Sequence, residues 1–144
     1  MNKAITKRTL PLSRAFIIFT LGGVAYYFIE ILYRGYSHWS MAVCGGICLW
    51  GICFINEKAR PFHCIWRALI CTAFITAVEF SVGCIVNLWL GWNVWSNKGL
   101  PFNFMGQISL LFSCYWFLLS FGVCLIISFL KYKAKKKELS KTTP

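Results

Sequence analysis

The sequence contains no aspartate, and its only acids are Glu30, Glu57, Glu79 and Glu138. Charged residues make up 13% of its 144 positions, where roughly 25% is usual for a soluble domain. It has no phosphate-cradling Gly-x4-Gly-Lys-Ser/Thr run, so this chain does not hydrolyse ATP through a P-loop. Gly-x-Ser-x-Gly, His-Glu-x-x-His and the dinucleotide fingerprint are also missing. Without Asp, and with His38 and His63 as its only histidines, it lacks the parts of the usual hydrolytic triads. Eight cysteines contain no Cys-x-x-Cys pair. These absences lead us to expect no enzyme activity, no catalytic residues, no metal and no cofactor.

What the sequence does contain is apolar surface. Residues of the AVILMFWYC set make up 58%, aromatics 18%, and the mean hydropathy is +0.64. That is too apolar for a soluble globular domain and far too apolar for a disordered chain. Lipid is the solvent that fits. A spanning helix needs about 20 predominantly apolar residues, and four stretches qualify: about 15–33, 39–55, 65–90 and 104–130. The runs are continuous rather than alternating, which excludes a β-barrel and leaves helices, whose backbone bonds are satisfied within each segment. The expected fold is an all-α membrane protein of four transmembrane helices. A basic N-terminus (1–14) precedes it, and a polar, basic, mobile tail (131–144) follows. Gly23-Val24-Ala25 faintly resembles a signal-cleavage site, but the apolar pattern runs on through Ile31, so the first span is expected to be retained.

The net charge of +11 would suggest nucleic acid in a soluble protein. Here the basic residues sit at both ends and in one central loop, between apolar runs, without a recognition motif, so no nucleic-acid partner is expected. The pattern fits a cytoplasmic face drawn to anionic lipid headgroups. Lys3, Lys7, Arg8 and Arg14 precede the first span; Lys58, Arg60 and Arg67 lie around the central loop; Lys131, Lys133, Lys135, Lys136, Lys137 and Lys141 fill the tail. Only Arg34 and Lys98 fall on the other side. Both termini should therefore face the cytoplasm of a cell (plasma) membrane. Trp39, Trp92, Trp95, Tyr33 and Tyr36 mark the outer interface. His38 and His63 then lie on opposite faces and cannot share a metal. Seven cysteines fall inside spans and Cys64 lies at the cytoplasmic edge, where thiols act as small apolar packing groups.

The two halves look alike. Glu30 is followed by Gly35 and Trp39-Ser40, and Glu79 by Gly83 and Trp95-Ser96. This suggests two duplicated hairpins related by an axis along the membrane normal. Each Glu falls roughly 20 Å from the inner surface at the helical rise. Ionisable residues inside a membrane are rare and mark functional sites by default. Glu30 and Glu79 are thus the leading candidates, because a carboxylate in low dielectric is destabilised when charged and can exchange a proton for a cation. The plainer reading makes them helix ties, and Arg34 stands where it could pair with Glu30 at i,i+4. Asn87, Asn103 and Gln107 form a polar series after Glu79, with Asn103 and Gln107 expected on one face at the start of the fourth span. They are candidates for a substrate path, while capping and closure of the loop is the plainer reading. Arg67 and Glu57 should snorkel or pair at the inner interface.

One stretch reads Glu79-Phe80-x2-Gly83-x3-Asn87-Leu88-x-Leu90-Gly91-Trp92-x-Val94-Trp95-Ser96, then Leu100-Pro101-Phe102-Asn103-x2-Gly106-Gln107-Ile108 and Trp116-Phe117-Leu118-Leu119-Ser120. With Tyr26-Tyr27-Phe28-Ile29-Glu30 and Gly35-x3-Trp39-Ser40-Met41, it resembles the small bacterial membrane proteins called putative ABC-transporter permeases, the CmpB-like, type IV group. The resemblance covers about 22–119. In that family an acid and a Tyr often accompany the tryptophan at Trp95; Ser96, Asn97 and Lys98 stand there instead, which weighs against a cation role for the outer loop. The resemblance implies a bacterial plasma-membrane protein, with no established substrate.

The expected function is a transport component with Glu30 and Glu79 in a polar site. It would work either with a separate ATP-binding subunit or as a self-associating, proton-coupled carrier. Four helices enclose little volume, so a homo-oligomer is expected. The alternative is a structural or accessory membrane protein in which both Glu residues tie helices together.

Overall fold

A computed structural model describes residues 12–142. Helix α1 runs Leu12–Arg34, α2 Trp39–Lys58, α3 Cys64–Gly83 and α4 Leu110–Thr142. All four are long and apolar enough to cross a membrane. Between α3 and α4 lie a π-helical segment, Cys84–Trp89, and two short antiparallel strands, β1 (Asn103–Phe104) and β2 (Ile108–Ser109), paired Asn103 to Ser109 and Phe104 to Ile108. Gly35 ends α1 at φ +79°, its N–H returning 2.8 Å to the Ile31 carbonyl, the left-handed cap that glycine adopts without steric cost.

The described chain divides into two compact units after Trp50, within α2. In the first, α1 meets the opening turns of α2 through glycine. A Cβ on Gly22 would lie 2.6 Å from the Gly45 carbonyl oxygen, and one on Gly23 would lie 2.6 Å from that of Ala42. Backbone thus rests on backbone, the close approach that small residues permit between lipid-solvated helices. Gly22 and Gly23 are the buried residues of α1, while Phe16, Leu21, Phe28 and Leu32 are exposed. A helix this apolar whose large side chains point outward needs lipid as its solvent.

In the second unit, α3 packs along α4, joined by the last turns of α2. Ile52, Ala68, Cys71, Ile75, Ser120 and Cys124 are buried there. The Phe74 ring fills the space a side chain at Gly51 would need. Leu118, Ile126 and Phe129 of α4 are exposed apolar side chains.

Two boundaries differ from those expected. The fourth helix begins at Leu110 rather than near 104, because residues 103–109 form the strand pair and its turn. Asn103 and Gln107 therefore do not share a helical face. The basic tail continues α4 through Thr142 rather than leaving the helix at the last apolar turn.

Candidate functional site

The π-helical segment sets the geometry of the polar region after α3. Widening the turns sends the Leu90 N–H to the Ile85 carbonyl (2.9 Å) and the Trp92 N–H to that of Val86 (2.8 Å). Extra residues per turn re-aim side chains, which is why such turns gather at functional sites. Here the buried side chain is Asn87. Its Nδ2 donates to Gln107 Oε1 at 2.8 Å, and its Oδ1 accepts the Val94 N–H at 2.6 Å.

Gln107 is the hub of this region and only 2% exposed. Its Nε2 donates to the Met105 carbonyl at 3.0 Å. Its own carbonyl accepts the Trp95 indole N–H at 2.9 Å and Asn97 Nδ2 at 3.0 Å. Asn103 Nδ2 donates to the Leu100 carbonyl at 2.7 Å, and Asn103 Oδ1 accepts the Gly106 N–H at 3.1 Å. Of the three amides proposed from sequence, Asn87 and Gln107 thus bond each other, and all three bond backbone groups of the loop. Carboxamides suit this work because each donates and accepts. Trp95 and Asn97 belong to the same network; the Trp95–Ser96–Asn97 run in a glycine-rich loop was their only trace in the sequence.

Glu79 lies five residues before the π-helical segment and is 6% exposed. The indole N–H of Trp116, on α4, donates to its Oε2 at 2.9 Å. One turn earlier on α3, Thr76 and Ser113 oxygens lie 3.3 Å apart. The carboxylate therefore sits at the α3–α4 contact, one turn along from a hydroxyl pair.

Glu30 has a different setting. It belongs to the first unit, and its Oε2 accepts a charge-assisted bond from Arg34 Nη2 one turn along α1. The Arg34 guanidinium also lies 5.1 Å from the centre of the Tyr36 ring, a cation–π approach. The i,i+4 pairing foreseen from sequence is thus formed.

The sequence reading missed a second buried polar cluster, at the start of α3. Arg67 neither snorkels nor pairs with Glu57. It is 7% exposed and bonds Asn56, Cys64 and Ser128, while Glu57 pairs with Arg60 at 3.3 Å. Asn56 is fully buried, its Nδ2 donating to the Ile52 carbonyl at 2.9 Å. A lone Asn inside an apolar run, and an Arg three residues into a span, were the signals available. Among the described residues, no three His, Cys, Asp or Glu side chains converge as a metal site.

The family model described as putative ABC-transporter type IV matches residues 15–142 of this chain. No curated protein and no solved structure matches it.

Proposed function

We propose, from the premise that this chain belongs to the putative ABC-transporter type IV family, that it is the permease-like component of a transport system. It is a multi-pass membrane protein of four apolar helices. Its Lys and Arg distribution supports a plasma-membrane location with both termini cytoplasmic, and its family supports a separate ATP-binding subunit as partner. Four helices enclose little volume, which favours a homo-oligomer, and the Glu–Gly–Trp-Ser echo between the halves favours duplicated hairpins. It acts by transport and not as an enzyme.

The observation that carries this reading is Glu79, a carboxylate buried against α4 with an indole N–H on one oxygen. Burial makes protonation and cation exchange chemically accessible to such a group. In this reading Glu79 lines the substrate path, and Glu30 is a second candidate carboxylate within its own unit. Asn87, Asn103 and Gln107 shape its mouth through the loop they hold together. The alternative, an accessory membrane protein with Glu residues as ties, draws its support from Glu30, whose carboxylate is engaged by Arg34.

Two measurements test the proposal. Purification under mild conditions from the native membrane should bring down an ATP-binding protein, whereas a clean homo-oligomer would remove the ABC reading. Infrared spectra of the purified protein should show a carboxyl band that changes between about pH 5 and 9 and disappears in Glu79→Gln. Glu30→Gln, whose parent is ion-paired, should leave that band in place. Spectra indifferent to pH, with both variants stable and assembled, would leave the accessory reading standing.

A further inference from the structure

The connection between α3 and α4 presents apolar side chains where a loop in water would not. Phe102 is 83% exposed, and Phe104 and Met105 are exposed beside it. Phe102 and Met105 stand at φ values of 53° and 52°, a left-handed backbone that bulky side chains seldom adopt. A turn facing water fills such positions with Gly, Asn or Asp. Lys98 is the one charged residue between Glu79 and Lys131. Its stem crosses Gly106, at the same turn.

Both flanking helices place this turn at the edge of the hydrocarbon. The Phe104 ring packs against Phe80 of α3, with centroids 5.5 Å apart. At 1.5 Å per residue, Phe80 stands about 24 Å from the start of α3 at Cys64, inside a core about 30 Å thick. A Cβ on Gly83, less than one turn further along, would meet the Gln107 side chain and the Trp95 ring. On α4 the apolar run from Leu110 to Leu130 covers about 30 Å before Lys131. The Leu110 N–H at its start donates to the Phe102 carbonyl at 3.3 Å.

Irregular backbone at that depth must find its partners within the protein. The carbonyls of Phe102, Phe104, Met105, Gly106 and Gln107 all accept hydrogen bonds from the loop or from the start of α4. The side chains of Asn87 and Asn103 take up the Val94 and Gly106 N–H groups. The turn thus satisfies its polar groups internally and leaves its apolar side chains outside.

We propose that the β1–β2 turn inserts into the bilayer, with Phe102, Phe104 and Met105 among acyl chains and Lys98 reaching the headgroups of the leaflet opposite the basic tail. A lysine whose stem lies along apolar surface can extend its ammonium in this way. Trp89 and Trp92, both exposed at the end of the π-helical segment, suit the same interface. Insertion gives the exposed rings an apolar solvent, and it pins the loop that carries Gln107 to the ends of α3 and α4. It requires that the chain crosses a membrane, but not that Glu79 exchanges a proton or that a substrate path exists.

The test uses full-length protein in vesicles of phosphatidylglycerol and phosphatidylcholine, followed by fluorine NMR. A trifluoromethyl-phenylalanine takes the place of Phe102 in one sample and of Ser140, at an exposed position near the end of α4, in another. Dissolved oxygen reports contact with lipid, and a gadolinium chelate on both sides of the bilayer reports contact with water. Insertion to about 5–10 Å should make the chelate effect at position 102 about fivefold or more weaker than at 140, while the oxygen effect is the stronger at 102. Should the first sample not assemble, the same label in place of Met105 decides. A chelate effect as strong as at 140 would place the turn in water. Protection from both agents would place it under protein, a second copy or another partner. Either result overturns the proposal.

Discussion

Gly45→Val is expected to break the contact between α1 and α2, with a loss of roughly 1–3 kcal/mol or more. A Cβ at this position would run into the Cβ of Tyr26 and lie 2.8 Å from the Gly22 carbonyl oxygen. Neither obstacle can move aside as the end of a flexible side chain would. The Gly22 oxygen is backbone, and the Tyr26 Cβ is fixed to the same helix. The facing surface is equally tight, since a Cβ on Gly46 would lie 2.8 Å from the Phe19 carbonyl oxygen. In lipid no hydrophobic driving force compensates for a wider separation, so association rests on this close packing. Valine should lower the thermal midpoint of the detergent-purified protein and raise its aggregated fraction in fluorescence size-exclusion chromatography. Gly122→Ala on α4 is the control. Nothing lies within 4 Å of its added methyl, and alanine's better helix propensity predicts an unchanged or slightly higher midpoint. A Gly45→Val protein as stable as the parent would mean that α1 and α2 do not meet through these glycines.

Gln107→Met should loosen the whole region between α3 and α4. Methionine matches the length of glutamine and fills its volume, so the effect isolates the hydrogen bonds. Two side-chain bonds disappear, from Asn87 Nδ2 and to the Met105 carbonyl. The Asn87 amide is buried at 8% exposure, and a buried group left unpaired costs about 1–3 kcal/mol, while the bond to the carbonyl of exposed Met105 adds little. Amide exchange provides the local readout. The Val94 N–H is bonded to Asn87 Oδ1, and the Asn97 N–H to the Gly106 carbonyl. Both should exchange at least about tenfold faster, at 1.4 kcal/mol per decade. Asn93→Gly should not have this effect. Asn93 is exposed, its side chain bonds only the Gly91 carbonyl among the contacts resolved around it, and its φ of +51° is one that glycine tolerates. If Gln107→Met left both amides protected, the loop would be held by its backbone and aromatic contacts, and Gln107 would be free for a role in the substrate path.

These two sites differ in how far the sequence revealed them. Gly22-Gly23 and Gly45-Gly46 stand as small-residue pairs within apolar runs, and helices in lipid approach closely only where side chains are small, so this contact has a signature in the sequence. Gln107 was readable as a polar residue near a helix start, yet its partners were not. Asn103 and Gln107 are four apart, which on a helix means a shared face, but the chain there turns back as β1 and β2. Phe102, Met105 and Gly106 take positive φ values of 53°, 52° and 69°, conformations that helical periodicity does not anticipate. A similar limit applied at α3. Arg67 near the end of an apolar run reads as a snorkelling residue, and only the approach of Asn56 and Ser128 from neighbouring segments makes burial the outcome. The pairing of Glu30 with Arg34, by contrast, is local to one helix and was visible as an i,i+4 spacing.

The sequence by itself determined the four apolar helices, their approximate limits and the family. The reason is that lipid offers backbone groups no partners, so an apolar run of sufficient length must satisfy them within itself as helix. Only the tertiary structure decided which polar groups meet. It placed Glu79 against Trp116, Asn87 against Gln107, and Arg67 among Asn56, Cys64 and Ser128. Helix formation depends on neighbours along the chain, whereas these contacts depend on how the helices pack, where α3 widens into π turns and where α4 begins. No hydropathy pattern encodes those choices, and they fix the chemistry available to each buried charge.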